Sequence, residues 1–125
     1  MMNWEYVAGF FDGEGSFTCG SASSRGMCFP VRFTQVNGEV MKHISEFLTA
    51  QGIKHGMHQY TKVGSLGKQP QWIIHFASRA AVLLFTKNIA HRLHVKKTMA
   101  QDIYRFLVMY PAMPPVKFMR RNNAD

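Results

Sequence analysis

The 125-residue chain is long enough for one domain with its own core and too short for two. Its 46% hydrophobic content excludes a disordered tail, and no apolar run reaches the length of a membrane span, so no membrane partner is expected. Fifteen Lys and Arg against seven Asp and Glu give a net charge of +8 and point to a polyanionic partner, nucleic acid first.

Between Asn3 and Gly13, Val7, Ala8, Phe10 and Phe11 fall at helical spacing; Asn3 suits an N-cap, and Gly13 and Gly15 suit a stop. Glu5 and Asp12 interrupt this start, which therefore lacks the unbroken apolar stretch of a secretory leader. The expected location is intracellular, prokaryotic cytoplasm or organelle, with Cys19 and Cys28 as reduced thiols. A hairpin follows, from Ser16 to Gly20 and from Met27 to Gln35, where Val31 and Phe33 alternate with Arg32 and Thr34. A second helix runs from Asn37 and Gly38 to about Gln51, with Val40, Ile44, Phe47 and Leu48 on one face and Gly52 beyond its end. The next hairpin pairs Met57 to Val63 with Gln71 to Ala77 across the turn-rich GSLGKQP, with Trp72, Ile74 and Phe76 inward. Ser78 can cap a third helix, Ala80 to Ala90, and a fourth spans Thr98 to Tyr110 with Ile103, Phe106 and Leu107 inward. The order helix-strand-strand-helix-strand-strand-helix-helix is an α+β layout, an antiparallel sheet with helices on one face. Residues 1–110 make the single domain and 111–125 a basic tail.

Five of the seven acidic residues are scattered, whereas Asp12 and Glu14 lie two apart in the glycine-bracketed run GFFDGEG. A carboxylate at a helix C-terminus faces the negative end of the helix dipole and calls for a compensating cation or hydrogen bond. A hard divalent cation such as magnesium meets that need, and it can polarise a phosphate and activate water. Gly9 and Gly13, four apart with Ala8 alongside, put small residues on one face, where a second such helix could approach closely. One motif per chain then requires a two-fold axis to supply the second copy. The spacings His55/His58 and His91/His94 raise a zinc reading, but the two cysteines lack C-x-x-C pairing and the acidic run is the better metal site.

The stretch from Tyr6 to Phe17, YVAGFFDGEGSF, resembles the defining motif of the LAGLIDADG homing endonucleases. Ala8, Gly9, Asp12 and Gly15 match that motif identically. Val7, Phe10 and Phe11 stand for its aliphatics, Gly13 for its second-last Ala and Glu14 for its final acid. The resemblance covers nearly the whole chain, because the family's element order is the one read above. It implies a homodimer whose motif helices (Ala8, Gly9, Asp12, Gly13) form the central interface and whose sheets form a saddle over the major groove of double-stranded DNA. It also implies a long pseudo-palindromic target and Mg²⁺-dependent hydrolysis of one phosphodiester per strand, leaving four-base 3′ overhangs; Mn²⁺ or Ca²⁺ can substitute for binding. Glu14 and the carbonyl of Gly13 would hold the metal, with Asp12 in a supporting role at the helix end. Gln35, or Asn37 in its place, would order the nucleophilic water, and Lys96, or its neighbour Lys97, would lie near the scissile phosphate. The alternative that the resemblance carries is a non-cleaving intron maturase, or another RNA- or DNA-binding protein of this fold, with its own intron RNA as partner.

Strand alternation supplies the contact set for either partner. If Val31, Phe33, Trp72, Ile74 and Phe76 face the helices, then Arg32, Thr34, Gln71, Ile73 and His75 face out. Arg25 and Lys68 in the hairpin loops, and Ser16, Thr18, His58, Tyr60 and Lys62 on the partner strands, complete the expected nucleic-acid surface.

Overall fold

The computed structural model describes residues 2–18, 21–23, 26–61 and 70–109. Arg25, Lys62, Lys68, Cys19 and the tail from 110 lie outside the described residues.

Helix α1 (Trp4–Glu14) begins where expected: the Asn3 side-chain oxygen accepts from Tyr6 N at 2.8 Å, and Val7, Ala8 and Phe11 are buried. Its end differs from expectation. Gly13 lies inside the helix, and Gly15 leaves it in extended conformation (φ −101°, ψ 169°), stepping directly into strand β1 (Gly15–Phe17). Glycine is needed at 15 for closeness, since a Cβ there would sit 2.0 Å from Phe11 Cδ1.

The first hairpin is divided. Strands β2 (Ser21–Ser23) and β3 (Gly26–Cys28) form a two-stranded ribbon of their own, and strand β4 (Val31–Gln35) starts only after Pro30. A single strand from 27 to 35 is ruled out because Pro30 has no N–H to donate to a ladder; its carbonyl accepts from Thr18 N at 2.8 Å instead.

Helix α2 (Gly38–Ala50) is capped by the Asn37 oxygen on Val40 N at 3.1 Å. It closes in a Schellman turn, with Ile53 N donating to Leu48 O at 2.9 Å and Gly52 N to Thr49 O at 3.0 Å. Gly52 has a φ of +81°, the left-handed region that this turn requires and other residues avoid. Strands β5 (Gly56–Tyr60) and β6 (Gln71–Phe76) lead to helix α3 (Arg79–Ile89), capped by the Ser78 hydroxyl on Ala81 N at 3.3 Å. A 3₁₀ turn (Ala90–Arg92) and helix α4 (Lys97–Met109) follow, and Arg79 donates to the Leu107 carbonyl near the end of α4.

The main sheet has the order β1-β4-β6-β5 with every pair antiparallel. One face packs on the helices around Phe85, whose ring lies 5.2 to 6.4 Å from those of Trp4, Phe11, Phe17, Phe33 and Phe76. Ile74 and Phe76 are buried there and Trp72 is half-buried against the same core. On α4 the inward set is Ala100, Ile103 and Leu107. Phe106, also expected inside, is half-buried and packs against the edge of that core, with its ring 5.3 Å from that of Phe29.

Candidate nucleic-acid interface and metal site

The two acids of the GFFDGEG run have different surroundings. The Asp12 carboxylate turns toward the start of α4 and accepts from three successive backbone N–H groups, His94 at 2.7 Å, Val95 at 3.1 Å and Lys96 at 3.0 Å. In return Lys96 Nζ donates to the Asp12 carbonyl at 2.7 Å, placing a cation on the last turn of α1, which carries no basic residue of its own. Partial burial pushes the Asp12 carboxyl up, but the N–H donors of His94, Lys96 and Val95 and the Lys96 charge outweigh it and hold the group below the usual carboxylate range. This two-way latch joins the C-terminal end of α1 to the N-terminal end of α4 across more than eighty residues of chain. Sequence reading missed it, because nothing in HRLHVKK marks three N–H groups as converging on one carboxylate. The excess of positive charge before α4 was the available signal.

Glu14, the last residue of α1, is exposed, and its carboxylate has no hydrogen bond or ion pair among the described residues. The Gly13 carbonyl belongs to the final turn, whose oxygens have no intrahelical donor. Of the two candidate lysines, Lys96 is brought to this helix end, while Lys97 is the exposed first residue of α4. Gln35 ends β4 two residues past the Gly15–Phe33 pair, on the strand face that α1 covers; its Oε1 accepts from Val36 N at 2.8 Å. Asn37 is committed as the cap of α2.

On the opposite sheet face the register sets out two rows. Ser16, Arg32, His75 and Gly56 run across all four strands, and Thr34, Ile73 and His58 run beside them, with Gln71 opposite Tyr60 beyond. Arg32, His58, Tyr60, Gln71, His75, Ser16 and Thr18 are exposed, and Thr34 is half-buried. Ile73 has the expected face, but it is only 6% exposed and offers little surface to a partner. His58 and His75 meet edge to face at 5.2 Å, and Gly56 leaves the room, since a Cβ there would lie 2.6 Å from His75 Nε2. His55 does not join His58. It is held between Ser45 Oγ (2.6 Å) and the Ile53 carbonyl (2.9 Å). None of the four strands of the main sheet contains an acidic residue, so the formal charge on this face is positive or zero.

The small-residue face of α1 is narrower than expected. Ala8 is 1% exposed inside the chain's own core and offers little surface to a second copy, while the half-buried Asp12 has its carboxylate bonded to the start of α4. Gly9 and Gly13 are exposed, with open space where a Cβ would project.

The family model described as a LAGLIDADG-like domain matches residues 2–107. No curated protein sequence matches the chain. Among solved structures, the chain is similar to the homing endonuclease I-CvuI, caught with DNA not cleaved in the presence of magnesium; the TM-score is 0.63 at 12% identity, over 86% of this chain and 67% of that one. It is also similar to I-Vdi141I, an archaeal intron-encoded homing endonuclease complexed with DNA (TM-score 0.57, 24% identity, 84% and 68% coverage). The LAGLIDADG meganuclease I-AabMI bound to uncleaved DNA gives a TM-score of 0.60 at 14% identity, with 88% of this chain and 38% of that one covered. At these identities the structures establish the shared fold. With the family model spanning residues 2–107, the chain belongs to the LAGLIDADG family.

Proposed function

We propose that two copies of this chain form a site-specific endonuclease that grips double-stranded DNA on the acid-free sheet faces and hydrolyses one phosphodiester on each strand. The observation that carries the reading is the division of labour between the two motif acids. Asp12 is consumed by the latch, while Glu14 stands exposed and, among the described residues, unpartnered, one residue before β1 and beside the helix end that receives the Lys96 ammonium.

These residues fit a hard divalent cation. Glu14 provides a free carboxylate and Gly13 a carbonyl without a helical donor, and magnesium accepts such a sparse protein set when water and phosphate oxygens fill its remaining positions. When bound, the ion would polarise the scissile phosphate and lower the pKa of a water. Among the described residues no group of three or more His, Cys, Asp or Glu is gathered, which suits a centre completed by substrate and by a second chain. Lys96, whose Nζ donates to the Asp12 carbonyl, would offset phosphate charge, and Gln35 at the end of β4 would orient the attacking water. Gly9 and Gly13 let a second α1 approach backbone to backbone, which would bring two Glu14 carboxylates to one axis. The binding surface is Arg32, Thr34, His58, Tyr60, Gln71 and His75 with Ser16 and Thr18, joined by Arg25, Lys62 and Lys68 from outside the described residues; Arg and Gln suit purine edges and Lys suits phosphates.

A randomised duplex library incubated with the protein and Mg²⁺ should yield cleaved sites of two-fold character. Glu14→Gln should lower cleavage of a selected site at least about a thousandfold while leaving its binding in Ca²⁺ within about threefold. Equal cutting by both proteins would overturn the assignment, and retention of structured RNA in preference to duplex would point to a non-cleaving RNA binder.

A further inference from the structure

The spacing that raised a zinc reading pairs His55 with His58, but the fold separates those two and gives His58 a different neighbour. Both ring nitrogens of His55 are taken, one by Ser45 Oγ and the other by the Ile53 carbonyl. His58 on β5 and His75 on β6 instead share the outward face of the sheet, one diagonal step apart in the register. Their ring centroids lie 5.2 Å apart with the planes at 66°. Both residues are exposed, and among the described residues neither ring makes a hydrogen bond or an ion pair. Gly56, opposite His75, seats the pair. A Cβ there would lie 2.6 Å from His75 Nε2 and 2.8 Å from its Cε1, so glycine lets this edge of the ring lean over β5, where His58 stands.

We propose that His58 and His75, seated by Gly56, chelate a divalent transition cation of the zinc class, at a site distinct from the Glu14 centre in place and in chemistry. Neutral imidazole suits zinc, nickel and copper, whereas magnesium takes oxygen ligands. Two imidazole nitrogens on one tetrahedral ion, each at about 2.0–2.1 Å, hold their ring centroids about 5 Å apart. These rings already have that separation. Both ligands stand on paired strands of one sheet, so closing the chelate turns side chains and moves no backbone. The other two corners of the quartet are Gly56 and Ile73, and neither competes for the ion. Arg32, opposite His75 on β4, works against a cation here, Tyr60 lies two residues beyond His58, and no acidic residue on the four strands helps. The two imidazoles therefore carry the affinity, and water fills the remaining positions. The pair belongs to the chain's own sheet whether or not the protein cuts DNA.

The test is a calorimetric titration of the full chain, free of any affinity tag, with Zn²⁺ in the presence of excess Mg²⁺. One Zn²⁺ per chain should bind, and His58→Gln and His75→Gln should each weaken it at least about tenfold. Gly56→Ala, which keeps both imidazoles and fills the seat of one, should weaken it as well. His43→Gln and His91→Gln should leave the affinity unchanged. Metal-free thermal melts of the His58 and His75 variants should match the wild type, since both side chains are exposed. Absence of binding, an unchanged affinity after loss of either imidazole or in Gly56→Ala, an equal fall in the His43 or His91 variant, or displacement by Mg²⁺ would each overturn the site.

Discussion

Asp12 and Glu14 show how two residues of one type, two positions apart, are driven into different chemistry by what the fold brings to each. Asp12 meets three N–H donors and Glu14 meets none among the described residues. Because the Asp12 carboxyl titrates lower in the folded chain than its unfolded value of about 3.9, its ionised form stabilises the fold. That contribution is fully present above the unfolded value and is lost as pH falls through the lower folded one. Asp12→Asn, which keeps one acceptor oxygen and loses the charge, should destabilise the protein by about 1–3 kcal/mol at neutral pH. Urea melts of both proteins should converge as the pH falls through the lowered folded value of Asp12; a constant gap would mean that the charge does not matter. The variant should also lower cleavage through misplacement of Lys96, so activity and stability are to be measured on the same preparation.

At the scale of elements, most boundaries follow from local chemistry. Asn3, Asn37 and Ser78 cap the helices they were expected to cap, and Gly52 closes α2 because only the left-handed region completes its turn. The misreadings have equally local causes that pattern alone does not reveal. Gly13, read as a stop, stays inside α1, whereas Gly15 is the helix stop it was expected to be and also lets β1 leave α1 against the Phe11 ring. Gly15→Ala should therefore cost about 1–3 kcal/mol, read as a lowered urea midpoint with an unchanged slope. Pro30 cut the expected strand at the point where an N–H was lacking. Phe106, read as inward with Ile103 and Leu107, reaches only the edge of the core, half-buried against Phe29, because it lies on the flank of the helical face those two centre.

For the whole molecule, the aromatic cluster around Phe85 ties α1, α3, β1, β4 and β6 into one unit. Phe85→Ala should remove about 3–5 kcal/mol, a large share of the roughly 5–15 kcal/mol typical of a domain, and calorimetry should show a strongly lowered melting temperature or no cooperative transition. If the acid-free sheet face binds duplex DNA, affinity should fall linearly in log–log fashion with salt, losing about a thousandfold between 50 and 200 mM if six or more phosphates are contacted per complex; a flat dependence would remove that face as the binding surface. The element order, the helix caps, the strand alternation and the lone acidic run were determined by the sequence itself, because each depends on residues within a few positions of one another. Only the tertiary structure decided that Asp12 serves the start of α4 while Glu14 stays free among the described residues, that Lys96 and not Lys97 reaches the end of α1, and that Ala8 and Ile73 are buried. Those outcomes depend on groups up to eighty-four positions apart meeting at hydrogen-bond distance, a geometry set by the packing of the core and carried by no local pattern.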